Sequence, residues 1–305
     1  MSVPNELFVP MQKESDAAEE IVRPGLSYWQ DVWLRLCKNK LALTGLAVII
    51  LFTLMAIFGM SLSHYTYAKQ SLLHTNEAPS ADHWFGTDDL GRDVYVRVWY
   101  GARISLFIGL MATLIDFFIG VTYGGISGFK GGFTDNLMMR IVDILYGLPY
   151  LLVVILLMVV MGPGLLTIIV ALSATGWVGM ARLIRGQVLQ LKASEYVMAA
   201  RALGASSGYI IRKHLLPNLM GIIIVQITFT VPSAIFAEAF LSFLGLGVQA
   251  PLASWGVMAN DGLPVILSGY WWRLFFPAFF ISLTMLSFNV LGDGLQDAFD
   301  PKQRR

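Results

Sequence analysis

The sequence predicts an all-α, polytopic membrane protein with about six transmembrane helices, and three observations carry that prediction. Across 305 residues the chain is 56% hydrophobic and 13% charged, with a mean hydropathy of +0.66. A soluble domain carries roughly a quarter of charged residues, because its surface has to face water. Apolar runs of about 20 residues recur, the length a helix needs to cross a hydrocarbon core of roughly 30 Å. Basic residues also collect at alternate ends of those runs, as they do when cytoplasmic loops hold the positive charge. The runs are too long and too continuously apolar for membrane strands, and amides in lipid must bond within their own segment, so helices are expected.

Residues 1–26 are polar, acidic at Glu14, Asp16, Glu19 and Glu20, and broken by Pro4, Pro10 and Pro24. No apolar core preceded by basic residues appears there, so the stretch reads as a mobile cytoplasmic tail and not as a signal peptide. In 27–40, Trp29, Val32, Trp33 and Leu36 recur at helical spacing beside Arg35, Lys38 and Lys40. That pattern predicts an amphipathic helix in the headgroup region. The spans are expected near 41–62, 103–125, 136–161, 165–189, 218–245 and 270–290. The chain then divides into the tail 1–26, a segment 27–102 with the interfacial helix, first span and an external loop, a core 103–297 with five spans, and a tail 298–305.

With both termini inside, the cytoplasmic side receives Arg35, Lys38, Lys40, Lys130, Arg140, Arg182, Arg185, Lys192, Arg201, Arg212, Lys213, Lys302, Arg304 and Arg305. The other side receives only Lys69, Arg92, Arg97, Arg103 and Arg273. The asymmetry sets the orientation and leaves the loop 192–217 facing the cytoplasm.

That loop is a polar interruption in an apolar chain. Ser194 can cap a short helix over 195–203, Gly204 stands where a left-handed residue would end it, and Ser206 or Ser207 can start a second. Pro217 suits the first turn of the next apolar run. Ala199, Ala200 and Ala202 let a partner surface approach closely, so the helix fits insertion into a groove of another protein. The same spacing also suits an ordinary connecting loop.

Charges inside a span cost roughly 2.5–3.5 kcal/mol on insertion scales, so each has a reason to be there. Asp116 falls well inside the second span, and Asp143 falls near one end of the third. Glu238 follows Gln226, Thr228, Thr230 and Ser233 in the fifth, beyond an expected kink at Pro232. Asp116, Gln226 and Glu238 are the candidates for a wet translocation path, against the alternative that each is paired at a helix interface. Gly120, Gly124, Gly125 and Gly128 form a small-residue stripe that permits close helix packing.

The order Ala199-Ala200, Gly204, Leu216-Pro217 resembles the coupling loop of ABC importer permeases. Phe85-Gly86-Thr87-Asp88 with Gly91-Arg92-Asp93, and the run 240–247 followed by Pro251 and Ser254-Trp255-Gly256, resemble the branch serving di- and oligopeptides or nickel chelates. Within it the chain looks like the second, C-type, permease subunit, and the likeness covers nearly everything from Trp29 onward. It implies a type I importer permease fold in a bacterial cell membrane, a second homologous permease subunit, two ATPase subunits holding ATP and Mg, an extracytoplasmic peptide-binding protein and surrounding lipid. It also implies that Glu195, Tyr196, Ala199, Ala200, Arg201, Gly204, Ala205, His214 and Pro217 form the ATPase-coupling surface. Met198 stands where the family often has Glu, and His214 where it often has an aliphatic residue. The stretch 246–269 is expected outside the membrane, where a delivery protein could reach it.

Other function classes find less support. The net charge is +1, which gives no pull toward nucleic acid, and the single Cys37 leaves no intramolecular disulfide. There is no Walker-type phosphate loop, no metal spacing among His64, His74, His83 and His214, and no Gly-x-Ser-x-Gly turn. An enzyme with its own ATPase site or bound cofactor is therefore not expected. Nickel chelates or another small solute remain an alternative cargo. An ion-gradient-driven secondary transporter is the alternative from another class, although no paired internal repeat is visible.

Overall fold

The computed structural model describes residues 27–300, and those residues are helical apart from connecting loops and one isolated bridge between Thr87 and Asp93. The expected tail at 1–26 and the last five residues lie outside the described residues.

Helix α1 (Tyr28–Lys38) buries Val32 and Leu36 against the neighbouring helices and leaves Trp29 and Trp33, expected on the same apolar stripe, exposed. Asn39 caps the next helix, α2 (Lys40–Phe58), accepting from the Ala42 N–H. A 3-10 turn over Gly59–Leu62 ends it. Helix α3 (Val94–Lys130) has 37 residues and starts nine before the expected boundary at 103. At about 1.5 Å per residue it is roughly 55 Å long, well beyond a hydrocarbon core of roughly 30 Å. Its first turns carry Arg97 and Arg103, which is why they read as loop. Arg103 instead reaches back to cap α2, donating to the carbonyls of Ala56 and Ile57.

The expected third span, 136–161, is broken. α4 (Gly132–Gly147) and α5 (Tyr150–Met161) meet at 86°. Pro149 cannot donate to the ladder and pushes the preceding residue out of the helical region, and Leu148 accordingly sits at φ −74°, ψ 130°. Helix α6 (Leu165–Lys192) follows, then α7 (Glu195–Ala202) and α8 (Ser207–Ile210). A π turn over Ile211–Leu215 joins α8 directly to α9 (Leu216–Leu241). The fifth span is thus part of one 40-residue rod, Ser207–Leu246, and not a helix that begins near Pro217. α9 also runs through Pro232 and ends in a second π turn, where Gly245 takes φ 79°. α10 (Trp255–Gly262) and a 3-10 turn lead to α11 (Trp272–Phe299), which extends into the stretch expected as a C-terminal tail. Among the described residues, five helices are long and apolar enough to cross a membrane, or six spans if the bent pair counts as one.

α3 and α6 form the spine. A Cβ at Gly120, Gly124 or Gly128 would press within 3 Å of Met180, the Ala181 carbonyl or the Arg185 carbonyl. The small-residue stripe therefore brings two backbones together, as in other membrane helix pairs. Gly125 departs from it: a Cβ there meets nothing within 4 Å. α2 crosses α11 in the same way, with Gly45 against the Ser287 carbonyl and Gly294 against Ala42.

Candidate coupling loop and intramembrane polar residues

The segment from Lys192 to Pro217 stands at one end of the bundle, where α3, α6 and α9 also end. Ser194 occupies the N-cap position of α7 with extended backbone, yet its hydroxyl makes no cap bond. It donates instead to the Leu191 carbonyl at 2.6 Å, closing the end of α6. The expectation of a Ser194 side-chain cap is corrected on that point: the oxygen is engaged by the helix before, not the helix after. At the other end the glycine reading holds. Gly204 has φ 81°, its N–H donates to the Arg201 carbonyl, and the Ala205 N–H donates to the Ala200 carbonyl, both at 3.0 Å. Those two bonds are a complete Schellman closure. Ser206 then caps α8 by accepting from the Tyr209 N–H.

Three contacts fasten this short helix to its stems. Val197 is 0% exposed and packs with Ile184, Val188, Ile210, Leu215 and Leu219. Arg201 lies over the Phe129 ring at 5.8 Å, while Lys192 Nζ donates to the Phe129 carbonyl at 2.6 Å. His214, on the π turn, lies between the rings of Tyr196 and Tyr209, each centroid 5.8 Å away. Asn218 ties the same place together, donating to the His214 carbonyl at 2.6 Å and reaching the Tyr196 hydroxyl at 3.5 Å. Much of the loop helix is nonetheless open on its outer side. Glu195, Tyr196, Met198, Ala199 and Arg201 are exposed, and Leu203 is 89% exposed. An apolar tip on a polar loop is the uncommon feature here.

The structure brings together Tyr196, Ala199, Ala200, Arg201, Gly204 and Ala205 on α7 and its closure, with His214 packed against them. Pro217 lies apart, on a cleft of 710 Å³ shared with Tyr28, Trp29, Gly221 and Phe299. Nearby, Asp135 at the start of α4 receives both Arg185 Nε at 2.6 Å and Nη2 at 2.7 Å, and Arg182 pairs with Asp143 at 2.7 Å.

The three path candidates stand in different surroundings. Glu238 is 0% exposed, and both oxygens are engaged: Ser105 donates to one at 3.0 Å and Ser242 to the other at 2.7 Å. Ser105 in turn accepts from the Trp255 N–H at 3.2 Å, and the Trp255 indole donates to the Val98 carbonyl at 2.9 Å. Glu238 is thus the centre of a buried joint linking α3, α9 and α10. Sequence reasoning missed the joint, since Ser105 lies 133 residues away; the only trace was the Ser254-Trp255-Gly256 motif. Asp116 is buried and rests against Gly176, where a Cβ would lie 2.2 Å from its Oδ2. Its Oδ1 has no hydrogen-bond partner among the described residues. Gln226 is half-buried on α9, and no side-chain hydrogen bond fixes it among the described residues.

At the opposite end, the motif Phe85-Gly86-Thr87-Asp88 with Gly91-Arg92-Asp93 ties a knot over the start of α3. Phe85 stacks on Phe276 at 3.9 Å, and Thr87 donates to the His74 carbonyl while accepting from the Glu77 N–H. Asp88 takes Arg92 at 2.6 Å and Arg97 at 3.3 Å, and Asp93 caps α3 through the Val96 N–H. Gly91, at φ 68°, passes so close to Ser71 that a Cβ would lie 1.9 Å from its carbonyl oxygen. Arg273 joins the knot from α11, donating to Asn76 and pairing with Asp89. Trp272 donates to the Thr87 carbonyl. The stretch 246–269 is similarly packed in part, with Ala253 and Trp255 fully buried.

Residues 120–305 match the family described as the binding-protein-dependent transport system inner membrane component, and residues 27–79 match the N-terminal TM domain of oligopeptide transport permease C. The chain is 69% identical over 303 residues to the dipeptide transport system permease protein DppC of Bacillus subtilis, covering 99% of this chain and 95% of that protein. It is 58% identical over 304 residues to the oligopeptide transport system permease protein OppC of the same organism, covering 100% and 99%. To the oligopeptide transport system permease protein OppC of Escherichia coli it is 42% identical over 289 residues, covering 94% and 95%. With a family match over more than half the chain and such identity along nearly all of it, the chain belongs to the inner-membrane components of binding-protein-dependent transport systems.

Proposed function

We propose that this chain is the C-type permease subunit of an ATP-driven importer of di- and oligopeptides, with α7 as the lever that separate ATPase subunits move. The observation that carries the proposal is the shape of the loop. A rigid eight-residue helix, closed by Gly204 and fixed to α6 and α9 through Val197 and His214, presents an apolar tip to its surroundings. A helix so exposed suits a groove in a partner. One so fastened would pass a push into two spans at once, a rigid-body transition. Glu195, Tyr196, Ala199, Ala200, Arg201, Gly204, Ala205 and His214 form that surface, and Pro217 starts the stem behind it. The peptide cargo is inferred from the names of the dipeptide and oligopeptide permeases that the chain resembles.

In this reading both termini and the loop face the cytoplasm, where two ATPase subunits hold ATP and Mg, and the knot faces outward, where a binding protein delivers peptide. A second, homologous permease subunit covers apolar surface left open along α4 and α5, where Ile144, Leu156, Val159 and Val160 are exposed. Asp116 and Gln226 are the polar groups that the path retains. Glu238 serves it indirectly, by holding α3, α9 and α10 as one body. The entry segment then ends before α3 at Val94 and not at 102, and the core runs to the end of α11 at Phe299 and not to 297.

The test is to express the chain with candidate ATPases, permease partner and binding protein, and to follow ATP-dependent uptake of a labelled dipeptide into proteoliposomes. Uptake and ATPase co-purification are expected to fall together when α7 is disrupted, with insertion unchanged. Dipeptide uptake by this chain alone, driven by an ion gradient and without an ATP-hydrolysing partner, would sink the reading.

A further inference from the structure

The loop-side ends of α3, α6 and α9 line a groove of 480 Å³ that no side chain among the described residues fills. Ligand sites span roughly 300–1,000 Å³, so this one is large enough for an occupant. Its walls are apolar: Val121, Ile126, Ile184, Val188, Leu215 and Leu219. Gly125 opens it. Its neighbours on the helix, Gly120, Gly124 and Gly128, are pressed against α6, but a Cβ at Gly125 would point into empty space. Ile126 lies beside it with nearly half its surface uncovered.

The mouth of the groove has the opposite character. Lys130 and Phe129 line it, and Phe129 draws in two more cations, Lys192 on its carbonyl and Arg201 over its ring. Arg212 follows the lining residue Ile211 and precedes Leu216, which also lines the groove, by one turn. None of Lys130, Lys192, Arg201 or Arg212 is paired with a carboxylate among the described residues. Of the acids near this end, Asp135 is taken by both arms of Arg185, Asp143 pairs with Arg182, and Glu195 on α7 makes no ion pair among the described residues. Apolar walls below an unneutralised cationic rim ask for an occupant with a hydrocarbon body and an anionic head. An extended peptide would leave its amides unbonded against these walls, which is costly away from water.

We propose that the groove is a binding site for an anionic phospholipid of the loop-side leaflet. One acyl chain lies between α3 and α9, and the phosphate rests on Lys130 and Arg212. Basic pockets between spans suit such headgroups. Because α3 and the second stem of the loop form its two walls, an occupied groove would brace the stem that α7 moves.

The test uses the assembled transporter, delipidated in detergent, with dioleoylphosphatidylglycerol or dioleoylphosphatidylcholine added back and bound lipid counted by native mass spectrometry. Phosphatidylglycerol is expected to be held about tenfold more tightly, from the attraction of basic groups for an anionic head. Lys130→Gln should weaken that preference, and Lys130→Gln with Arg212→Gln should bring it to the phosphatidylcholine level. Lys69→Gln removes the same charge at the opposite end and should change nothing. Gly125→Leu, which enters open space and so should fold, is expected to displace both lipids from this site. Glycerol 3-phosphate, the head without the chains, should fail to compete. Equal retention of the two lipids by the unaltered protein, or full retention in Gly125→Leu, would overturn the proposal. So would a benzophenone at Ile126 that cross-links to a protein subunit in place of lipid.

Discussion

The two ends of the bundle are built on opposite principles. At the knot end, charged groups are folded inward. Arg97 is 4% exposed and Asp88 6%, and Arg92, Arg273 and His83 each find a partner within the chain. At the loop end, Lys130, Lys192, Arg201 and Arg212 lack a carboxylate partner among the described residues, while apolar Leu203, Met198 and Tyr209 face out. The first arrangement completes itself. The second is complete only when something else covers it. The difference separates two kinds of motif: one that reads as functional because it is distinctive but works as architecture, and one whose exposure has no internal explanation.

The knot should be the costlier end to damage. Arg97→Met removes a buried cation from Asp88, and breaking a buried pair generally costs about 3–5 kcal/mol. Asp88 keeps Arg92 at 2.6 Å, so the expected loss is near the lower figure, about 3 kcal/mol. Thermal unfolding in detergent would show it as a lowered transition with less folded protein recovered. An unchanged transition would mean that the knot is not the closed structure described here.

Next comes a change in the middle of the spans, where neither end dominates. Gly176→Ala places a methyl 2.2 Å from the Asp116 carboxylate, with all three carboxyl heavy atoms within 3 Å. Those atoms are the far end of a side chain whose Oδ1 has no hydrogen-bond partner among the described residues, so the carboxylate must turn aside within a buried contact, at a cost near the lower end of the overpacking range, about 1 kcal/mol. Asp116→Ala in the same background should recover much of the loss, because the clash partner is gone. If the double variant is no more stable than Gly176→Ala alone, the close approach is not what makes position 176 a glycine.

How much of this was legible depends on the range of each interaction. The spans were visible because a run of apolar residues is a local property, and the loop because it interrupts those runs. The early start of α3 was hidden, since Arg97 and Arg103 look like loop residues until their acceptors, Asp88, Ala56 and Ile57, are in place. The break at Leu148 was written in Pro149 itself. The continuity from α8 into α9 was not, because the π turn shifts the bonding register just ahead of Pro217, with the Leu216 N–H donating to the Ile211 carbonyl. Glu238 shows the limit most clearly. The sequence marks it as a costly charge that needs a reason, but the partners that supply the reason come from Ser105 on another helix and from Ser242 one turn on. Asp116 had the same sequence signature and lacks that satisfaction at Oδ1.

At the loop end the effects on stability should shrink while those on transport grow. Gly204→Ala forces an L-residue to φ 81°, at a cost of about 1–2 kcal/mol. That strain would fall on the Schellman closure and not on the core, since no atom lies within 4 Å of a Cβ there. The bundle should therefore unfold at an unchanged temperature, while the end of α7 gains faster amide exchange and ATP-dependent uptake drops several-fold. A lowered global transition with normal uptake would reverse the assignment of the two ends.

Leu203→Ala is the smallest perturbation and the sharpest discriminator. The side chain is 89% exposed and touches no core cluster, so its loss should change stability by no more than about 0.5 kcal/mol. If Leu203 fills a pocket in an ATPase subunit, the same truncation removes an apolar anchor from an interface. Truncating such an anchor can cost about 2 kcal/mol or more of binding, or roughly 30-fold in affinity. ATPase retention on the purified permease, measured against salt, separates this from the charge contributed by Arg201. An apolar anchor should keep its effect at high salt, whereas a contribution from Arg201 should fade. A variant that folds, retains the ATPases fully and transports normally would leave the apolar tip without a partner, and the contrast between the two ends would no longer bear on function.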